Sequence, residues 1–289
     1  MMHTFGRYGD AFLAIGLALC FSLPAVAQED AKKTGKASYQ ECVEKGIALL
    51  KQDSLLQAES LFLQAIKAEP TLQSNSLLYN QLGQIQERLG HNQDALASYA
   101  NALNLNPSYT EVLLNRASLY LRIDNQDRAL QDYSAVLEGN PDHQEALFFR
   151  AYIYSGKRMC RQARADYEKL LQVNRLHEKA LLGLALLNDK DNRPREAMEQ
   201  INNLIAFFPD NALYYTIRGG MQQQRRNYEK AIADFNLAIE LEPDNPEYLI
   251  SRASCFKEMK KRKLAVEDLK RAQELGGDPA VIAEILQKK

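Results

Sequence analysis

Apolar residues recur every three or four positions over most of the chain, which is the period of an amphipathic helix. The stretch KAIADFNLAIELEP, residues 230–243, is typical, with an Ala near its start and a Pro at its end. Nearly the same pattern occurs in DALASYANALNLNP at 94–107 and in RALQDYSAVLEGNP at 128–141. Short helices that return in the same form indicate an internal repeat.

The repeat has a fixed length. Its marker alanines are 34 residues apart after a first interval of 37, at Ala58, Ala95, Ala129, Ala163, Ala197, Ala231 and Ala265. A second small residue lies twelve positions before each of them, at Gly46, Gly83, Ala117, Ala151, Ala185, Gly219 and Ala253. These small residues predict close contact between two paired helices, because a larger side chain would push the helices apart.

Two further positions complete the pattern. A large apolar residue follows each marker alanine on the same helical face, at Leu61, Tyr99, Tyr133, Tyr167, Ile201, Phe235 and Leu269. A proline follows at Pro70, Pro107, Pro141, Pro209 and Pro243, with Arg175 and Gly277 in its place in the other two units. Since proline ends a helix, each unit predicts a helix, a turn, a second helix and a proline turn.

This order of small, small, aromatic and proline residues resembles the tetratricopeptide repeat (TPR). The resemblance spans 39–277 and is fullest in LLYNQLGQIQERLGHNQDALASYANALNLNP at 77–107. It implies an all-α protein, a right-handed α-solenoid (superhelix) of stacked antiparallel helix pairs. The predicted repeats are 39–75, 76–109, 110–143, 144–177, 178–211, 212–245 and 246–277.

The two ends of the chain have a different character. Residues 1–27 join an Arg, the apolar run AFLAIGLALCFSL and small residues at Ala25 and Ala27, which predicts a signal peptide cleaved after Ala27. The run is shorter than the about 20 residues of a membrane span. Residues 28–38 predict a flexible leader, and 278–289 predict a C-terminal capping helix with Asp278 as its N-cap.

These features predict an exported protein, periplasmic or secreted. An outer-membrane lipoprotein attached through Cys20 is a minor alternative, because Leu19 stands where lipoprotein signals carry a small residue. Cleavage leaves Cys42, Cys160 and Cys255, an odd number, which predicts free thiols, with an intermolecular disulfide as the alternative.

The chain shows no catalytic motif. His91, His143 and His177 are the histidines beyond the signal peptide, and the last two occupy the same turn position in neighbouring repeats. At about 10 Å apart they are too distant to share a metal without other ligands, so we expect solvated turn residues. No zinc spacing, phosphate loop or nucleophile elbow is present. We therefore expect no enzyme, cofactor, metal or small-molecule substrate.

The resemblance implies a concave surface lined by the first helix of each repeat. Repeats three to five place large apolar residues on it at Leu114, Leu121, Phe148, Tyr152, Leu182 and Leu186. Such an area predicts a groove for a peptide or amphipathic helix of a partner protein, although contacts among these side chains, or cover by the leader or capping helix, would also explain it. Asn115 fits one position of a clamp for acidic C-terminal peptides, but the Lys and Arg of that clamp are missing.

One edge of the predicted solenoid is basic. The turns inside repeats four to seven carry Lys157, Arg158, Arg161, Arg193, Arg195, Arg225, Arg226, Lys260, Lys261, Arg262 and Lys263. The opposite turns collect acids such as Glu138, Asp210 and Asp244. Solvated turns explain this pattern, and the alternative is an anionic surface, either a membrane, by peripheral association, or a nucleic acid. Because 36 Lys and Arg nearly balance 37 Asp and Glu overall, nucleic acid is not expected as an obligatory partner.

Overall fold

The computed structural model of the chain describes residues 36–287, with side chains from residue 38. The predicted signal peptide and most of the predicted leader lie outside this range. The described residues form fifteen α-helices and no strand. These are α1 (Lys36–Lys51), α2 (Leu55–Ala68), α3 (Asn75–Arg88), α4 (Asn92–Leu105), α5 (Thr110–Arg122), α6 (Gln126–Gly139), α7 (Gln144–Gly156), α8 (Cys160–Val173), α9 (Glu178–Lys190), α10 (Pro194–Phe207), α11 (Ala212–Gln224), α12 (Tyr228–Leu241), α13 (Pro246–Glu258), α14 (Arg262–Glu274) and α15 (Pro279–Gln287).

The helices belong to two compact units, which meet within α5 in the sequence. Unit 1 ends at Leu119 and unit 2 begins at Tyr120. In unit 1, α1 packs on α2 and α3 on α4; in unit 2, α7 packs on α8, α9 on α10, α11 on α12 and α13 on α14. Helix pairs joined by short turns confirm the predicted all-α class. Helix α1 begins at Lys36, so the last three residues of the predicted leader are helical.

The small positions of the repeat lie where paired helices touch. A Cβ atom on Gly219 would stand 2.8 Å from Cε1 of Phe235, and one on Gly46 would stand 2.5 Å from Cε1 of Phe62. The prediction of close helix contact is therefore confirmed. In the first repeat, however, Leu61 is the wrong residue: the fully buried Phe62, four positions after Ala58, makes this contact.

Each turn inside a helix pair contains one residue with a left-handed backbone. These residues are Asp53, Gly90, Asp124, Arg158, Asn192, Arg226 and Lys260, with φ between 55° and 79°. The conformation closes the preceding helix, as in the 2.8 Å bond from the Met159 N–H to the Tyr154 carbonyl. Glycine adopts it freely and Asn or Asp tolerates it, whereas Arg and Lys are strained there.

A buried ion pair recurs in unit 2. The guanidinium of Arg150 donates to Asp166 at 2.7 and 2.8 Å, Arg218 donates to Asp234 at 2.6 to 3.1 Å, and Arg252 donates to Asp268 at 2.7 and 2.9 Å. Each arginine also reaches the second helix of the preceding repeat, at Ser134, Asn202 and Asn236 in the same order. Each guanidinium therefore links two helices of its own repeat to the one before.

Helix α15 covers the end of the last helix pair. The Asp278 carboxylate accepts a 2.8 Å bond from the Ala280 N–H at the helix start. Ile282 is buried against a cluster that includes Leu249 and Leu269, and Ile285 packs beside it. The other large apolar side chains of this helix, Val281 and Leu286, are exposed.

Candidate functional site

Two large apolar side chains are exposed at the same repeat position on neighbouring first helices of unit 2. Tyr152 on α7 and Leu186 on α9 occupy the same place in neighbouring repeats, and each is 45% exposed. Gly220 follows at the same place on α11, and a Cβ atom there would find no heavy atom within 4 Å. We call these three residues the apolar row. An aromatic ring, an aliphatic chain and an open space thus lie in register.

The neighbouring apolar residues are packed against other side chains, and we call them the floor of the candidate groove. The Phe148 ring lies 5.2 Å from that of Phe149, 6.3 Å from that of Tyr167 and 5.8 Å from that of His177, measured between centroids. Leu182 is half-buried against a cluster that includes Leu204. Leu121 is also half-buried. The predicted groove residues of unit 2 therefore divide into these packed side chains and the exposed Tyr152 and Leu186.

A carboxylate adjoins this floor. Glu145 lies three residues before Phe148 on α7 and is half-buried. Burial raises the pKa of Glu145, and the nearby His143 only partly offsets the effect. Within the described part of the chain this carboxylate has no hydrogen bond or ion pair, so a cationic group of a partner would find an acceptor here.

The Tyr133 hydroxyl is buried without a partner among the described residues. Its ring stacks on Phe149 at a centroid distance of 5.6 Å. In the repeat before, the hydroxyl of Tyr99 donates to Glu87 instead. The two tyrosines therefore hold the same place in the repeat but differ in hydrogen bonding.

This difference predicts different effects on stability when the hydroxyl is removed. Tyr133→Phe is expected to raise the free energy of unfolding by about 1 kcal/mol, because a buried hydroxyl without a partner is destabilising. Tyr99→Phe is expected to leave it unchanged or lower it, because that change removes a hydrogen bond. Urea denaturation of both variants measures the difference, and a Tyr133→Phe protein less stable than Tyr99→Phe would contradict the expectation.

In unit 1, Asn115 belongs to a polar network. Its amide donates to the Asn80 side-chain oxygen at 3.1 Å, and Asn80 donates to the Glu111 carboxylate at 3.0 Å. Burial, reinforced by Glu111, raises the pKa of Tyr109 beside this network to about 12. Leu114 is half-buried on the same helix. The predicted residue Asn115 is thus held by neighbouring amides, which leaves its own carbonyl oxygen as an acceptor.

The basic turns of unit 2 hold mostly exposed cations. Eight are exposed and have no acidic partner in the described chain: Arg158, Arg161, Arg195, Arg226, Lys260, Lys261, Arg262 and Lys263. We call these eight residues the basic edge. Arg193 lies 3.3 Å from Asp191. Arg225 differs, because its half-buried guanidinium donates to Asp189 at 2.5 Å and to the Met221 carbonyl at 2.6 Å.

Comparison with protein families decides the relationship of the chain. A model described as the tetratricopeptide repeat matches residues 43–107, 80–143, 114–159, 147–212 and 189–246. The chain belongs to the tetratricopeptide repeat family. The resemblance drawn from its small, aromatic and proline positions is confirmed.

Solved structures of TPR proteins have a similar fold. A TPR protein from Parabacteroides merdae ATCC 43184 is 31% identical, with a TM-score of 0.65, over 87% of this chain and 98% of that one. PilW, described as a widely conserved type IV pilus biogenesis factor, is 18% identical, with a TM-score of 0.62, over 73% of this chain and 98% of that one. YrrB, described as a TPR protein with an unusual peptide-binding site, is 18% identical, with a TM-score of 0.52, over 66% and 98%. No curated protein sequence matches the chain.

Two histidines and one cysteine of this TPR protein have surroundings that indicate a structural role. The Nδ1 atoms of His143 and His177 accept bonds of 3.3 and 3.2 Å from backbone N–H groups, so both residues cap helices. Burial raises the pKa of Cys255 to about 12, which keeps it a thiol. Across residues 36–287, no group of three or more His, Cys, Asp or Glu side chains is placed to hold a metal. None of the helices described is long and apolar enough to cross a membrane.

Three features of the site have no counterpart in the sequence analysis. They are the free carboxylate of Glu145, the open space at Gly220 and the buried Arg and Asp pairs of unit 2. Arg150, Arg218 and Arg252 do recur at one place of the 34-residue repeat, so a search for periodic charge would have found them. Glutamate also recurs at the place of Glu145, at Glu111 and Glu247, but the lack of a partner for Glu145 leaves no sequence signal, and Gly220 occurs singly.

Proposed function

We propose that this TPR protein binds a peptide or amphipathic helix of a partner protein on the apolar row of unit 2. The observation that carries the proposal is the exposure of Tyr152 and Leu186 in register, beside the open space at Gly220. Contiguous exposed apolar side chains are typical of interaction sites. TPR folds are scaffolds for protein interactions, and the peptide-binding site described for YrrB supports a binding role for this one.

The row also indicates the chemistry of the partner segment. An apolar side chain would enter the space at Gly220, flanked by others that contact Tyr152 and Leu186. A Lys or Arg nearby would pair with Glu145. Each large apolar side chain buried in such a site contributes about 1.5–3 kcal/mol, so three anchors support micromolar binding after the costs of association.

The activity that we propose is binding rather than catalysis. We also propose that the protein is exported and that its signal peptide is cleaved after Ala27. The alternative of an anionic partner uses the basic edge. Its residues do not include the apolar row, so the two activities do not exclude each other.

Photo-crosslinking tests the groove. A photoreactive residue at Tyr152 is expected to give a discrete adduct in the cells that produce the protein, and one at the exposed Glu168 on α8 is expected to give none. Gly220→Leu should abolish the adduct by filling the open space. The matched control is Leu237→Ser, which removes an exposed leucine from α12, a second helix of a pair, and should leave the adduct intact.

The proposal fails if the adduct persists in Gly220→Leu or appears equally from Glu168. An adduct with the protein's own residues 28–38 would mean that the leader covers the row. Circular dichroism of Gly220→Leu separates blocked binding from a folding defect, because the open surroundings of Gly220 and the helix propensity of leucine predict a melting temperature at least as high as that of the parent protein.

A further inference from the structure

The basic edge lies on four successive turns of unit 2, those that join α7 to α8, α9 to α10, α11 to α12 and α13 to α14. Its eight side chains are exposed and have no acidic partner in the part of the chain described. Clustered cations repel one another, and the exposed acids beside these turns, Glu196, Glu229 and Glu258, make no ion pair with them in the described residues. The edge therefore concentrates unpaired positive charge locally.

Three of these turns hold a basic residue in a strained backbone conformation. Arg158, Arg226 and Lys260 adopt φ of 60°, the left-handed conformation that long side chains disfavour. The equivalent residues of the other repeats are Asp53, Gly90, Asp124 and Asn192, which all tolerate it. Strain retained at particular positions is typical of functional surfaces. Here it brings a cation to the tip of three turns.

The helices that begin at this edge also favour negative charge at their N-termini. Helices α8, α10, α12 and α14 begin here, and their N-cap residues Met159, Arg193, Asn227 and Lys261 make no side-chain capping bond. At the opposite edge, His143, His177, Asn211 and Asn245 cap α7, α9, α11 and α13 with side chains. The first N–H groups of α8, α12 and α14 thus stay available to an anion, whereas α10 begins with Pro194, which has no N–H group. Each helix dipole adds positive charge.

Apolar side chains stand among these cations. Met159 is 37% exposed and lies between Arg158 and Arg161 in the sequence, and Leu264 is 43% exposed and follows Lys263. Neither is needed for contact with a phosphate. In a lipid bilayer, both would enter the boundary between head groups and acyl chains while the cations contact phosphates.

We propose that the basic edge docks on the surface of an anionic phospholipid membrane. The cations sit at the tips of turns, and the row of tips matches a surface of many head groups. Nucleic acid shares the phosphate chemistry but leaves Met159 and Leu264 without a role. This docking is independent of the apolar row, so failure of either proposal leaves the other standing.

Vesicle co-sedimentation of the protein as purified from the cells that produce it tests the proposal. Vesicles of phosphatidylglycerol with phosphatidylcholine are expected to bind the protein at least tenfold more tightly than vesicles of phosphatidylcholine alone. The triple change Lys260→Gln, Lys261→Gln and Lys263→Gln should weaken the first binding at least tenfold, since each basic residue near an anionic surface contributes substantially. The matched control removes three exposed cations away from the edge, Lys67→Gln, Arg175→Gln and Lys270→Gln, and should change it less than twofold.

A second variant separates docking from folding. Arg158→Gly, Arg226→Gly and Lys260→Gly together relieve the backbone strain, so this protein should melt at a higher temperature and yet bind the anionic vesicles more weakly. Equal binding by the Lys triple variant and its control would overturn the proposal. Equal binding of the protein to both kinds of vesicle would also overturn it. So would a Lys triple variant that loses affinity for duplex DNA and keeps its affinity for the anionic vesicles.

Discussion

Replacing Arg218 by Met is expected to lower the free energy of unfolding by about 3–5 kcal/mol. The change leaves the carboxylate of Asp234, which is only 5% exposed, without the guanidinium that now donates to both its oxygens. It also removes the 2.8 Å bond from Arg218 to Asn202 of the preceding repeat. Guanidinium chloride denaturation followed by circular dichroism measures the loss.

Two further variants test whether an unpaired buried carboxylate causes this loss of stability. Arg218→Met combined with Asp234→Leu should recover much of the stability, because no buried charge then stays unpaired. Arg161→Met removes an exposed arginine without an acidic partner and should change stability by no more than about 0.5 kcal/mol. Similar losses in Arg218→Met and Arg161→Met would show that burial of the pair has no energetic importance.

Alanine is expected to have opposite effects at two adjacent glycines of α11. Gly219→Ala should lower the free energy of unfolding by about 1–3 kcal/mol, because its Cβ atom would stand 2.8 Å from the buried ring of Phe235. Gly220→Ala should raise it by about 1 kcal/mol, because alanine is the better helix former and the space around Gly220 is open. Thermal and chemical denaturation of the two single variants gives the comparison.

The ring of Phe235 provides the control for this pair. In a Phe235→Leu background the smaller side chain relieves the contact, so Gly219→Ala should no longer be destabilising relative to that background. If Gly219→Ala stabilises the parent protein as much as Gly220→Ala does, helix propensity outweighs close packing at this contact. The small position of the repeat would then have another physical basis.

The fold was predictable because its main constraint, the close packing of paired helices, depends on single residue types at a fixed spacing. A glycine at 46, 83 and 219 leaves room for an aromatic ring, and prolines after the second helices end them, so residue type and spacing sufficed. The error at Leu61 could also have been avoided from the sequence. The spacing of four residues that joins Ala95 to Tyr99 joins Ala58 to Phe62, the residue that meets Gly46.

The site was less predictable because exposure depends on neighbours distant in sequence. Phe148 and Tyr152 both looked available on the first helix of their repeat, but Phe148 is held by the rings of Tyr167 and His177. Arg225 looked like its exposed neighbour Arg226, yet Asp189, 36 residues earlier, takes its guanidinium. Such pairings follow from the stacking of repeats and leave no local sequence pattern.

The helix that presents Leu186 begins at a cap that responds to protons. His177 accepts a backbone bond through Nδ1, and a protonated imidazole has no lone pair to offer there. Burial lowers the pKa of His177, so the stability of its helix is complete above the ordinary value of about 6.5 and declines as the pH falls below it. Acidification would therefore loosen the start of α9, so the surface that holds Leu186 becomes sensitive to the pH of its surroundings.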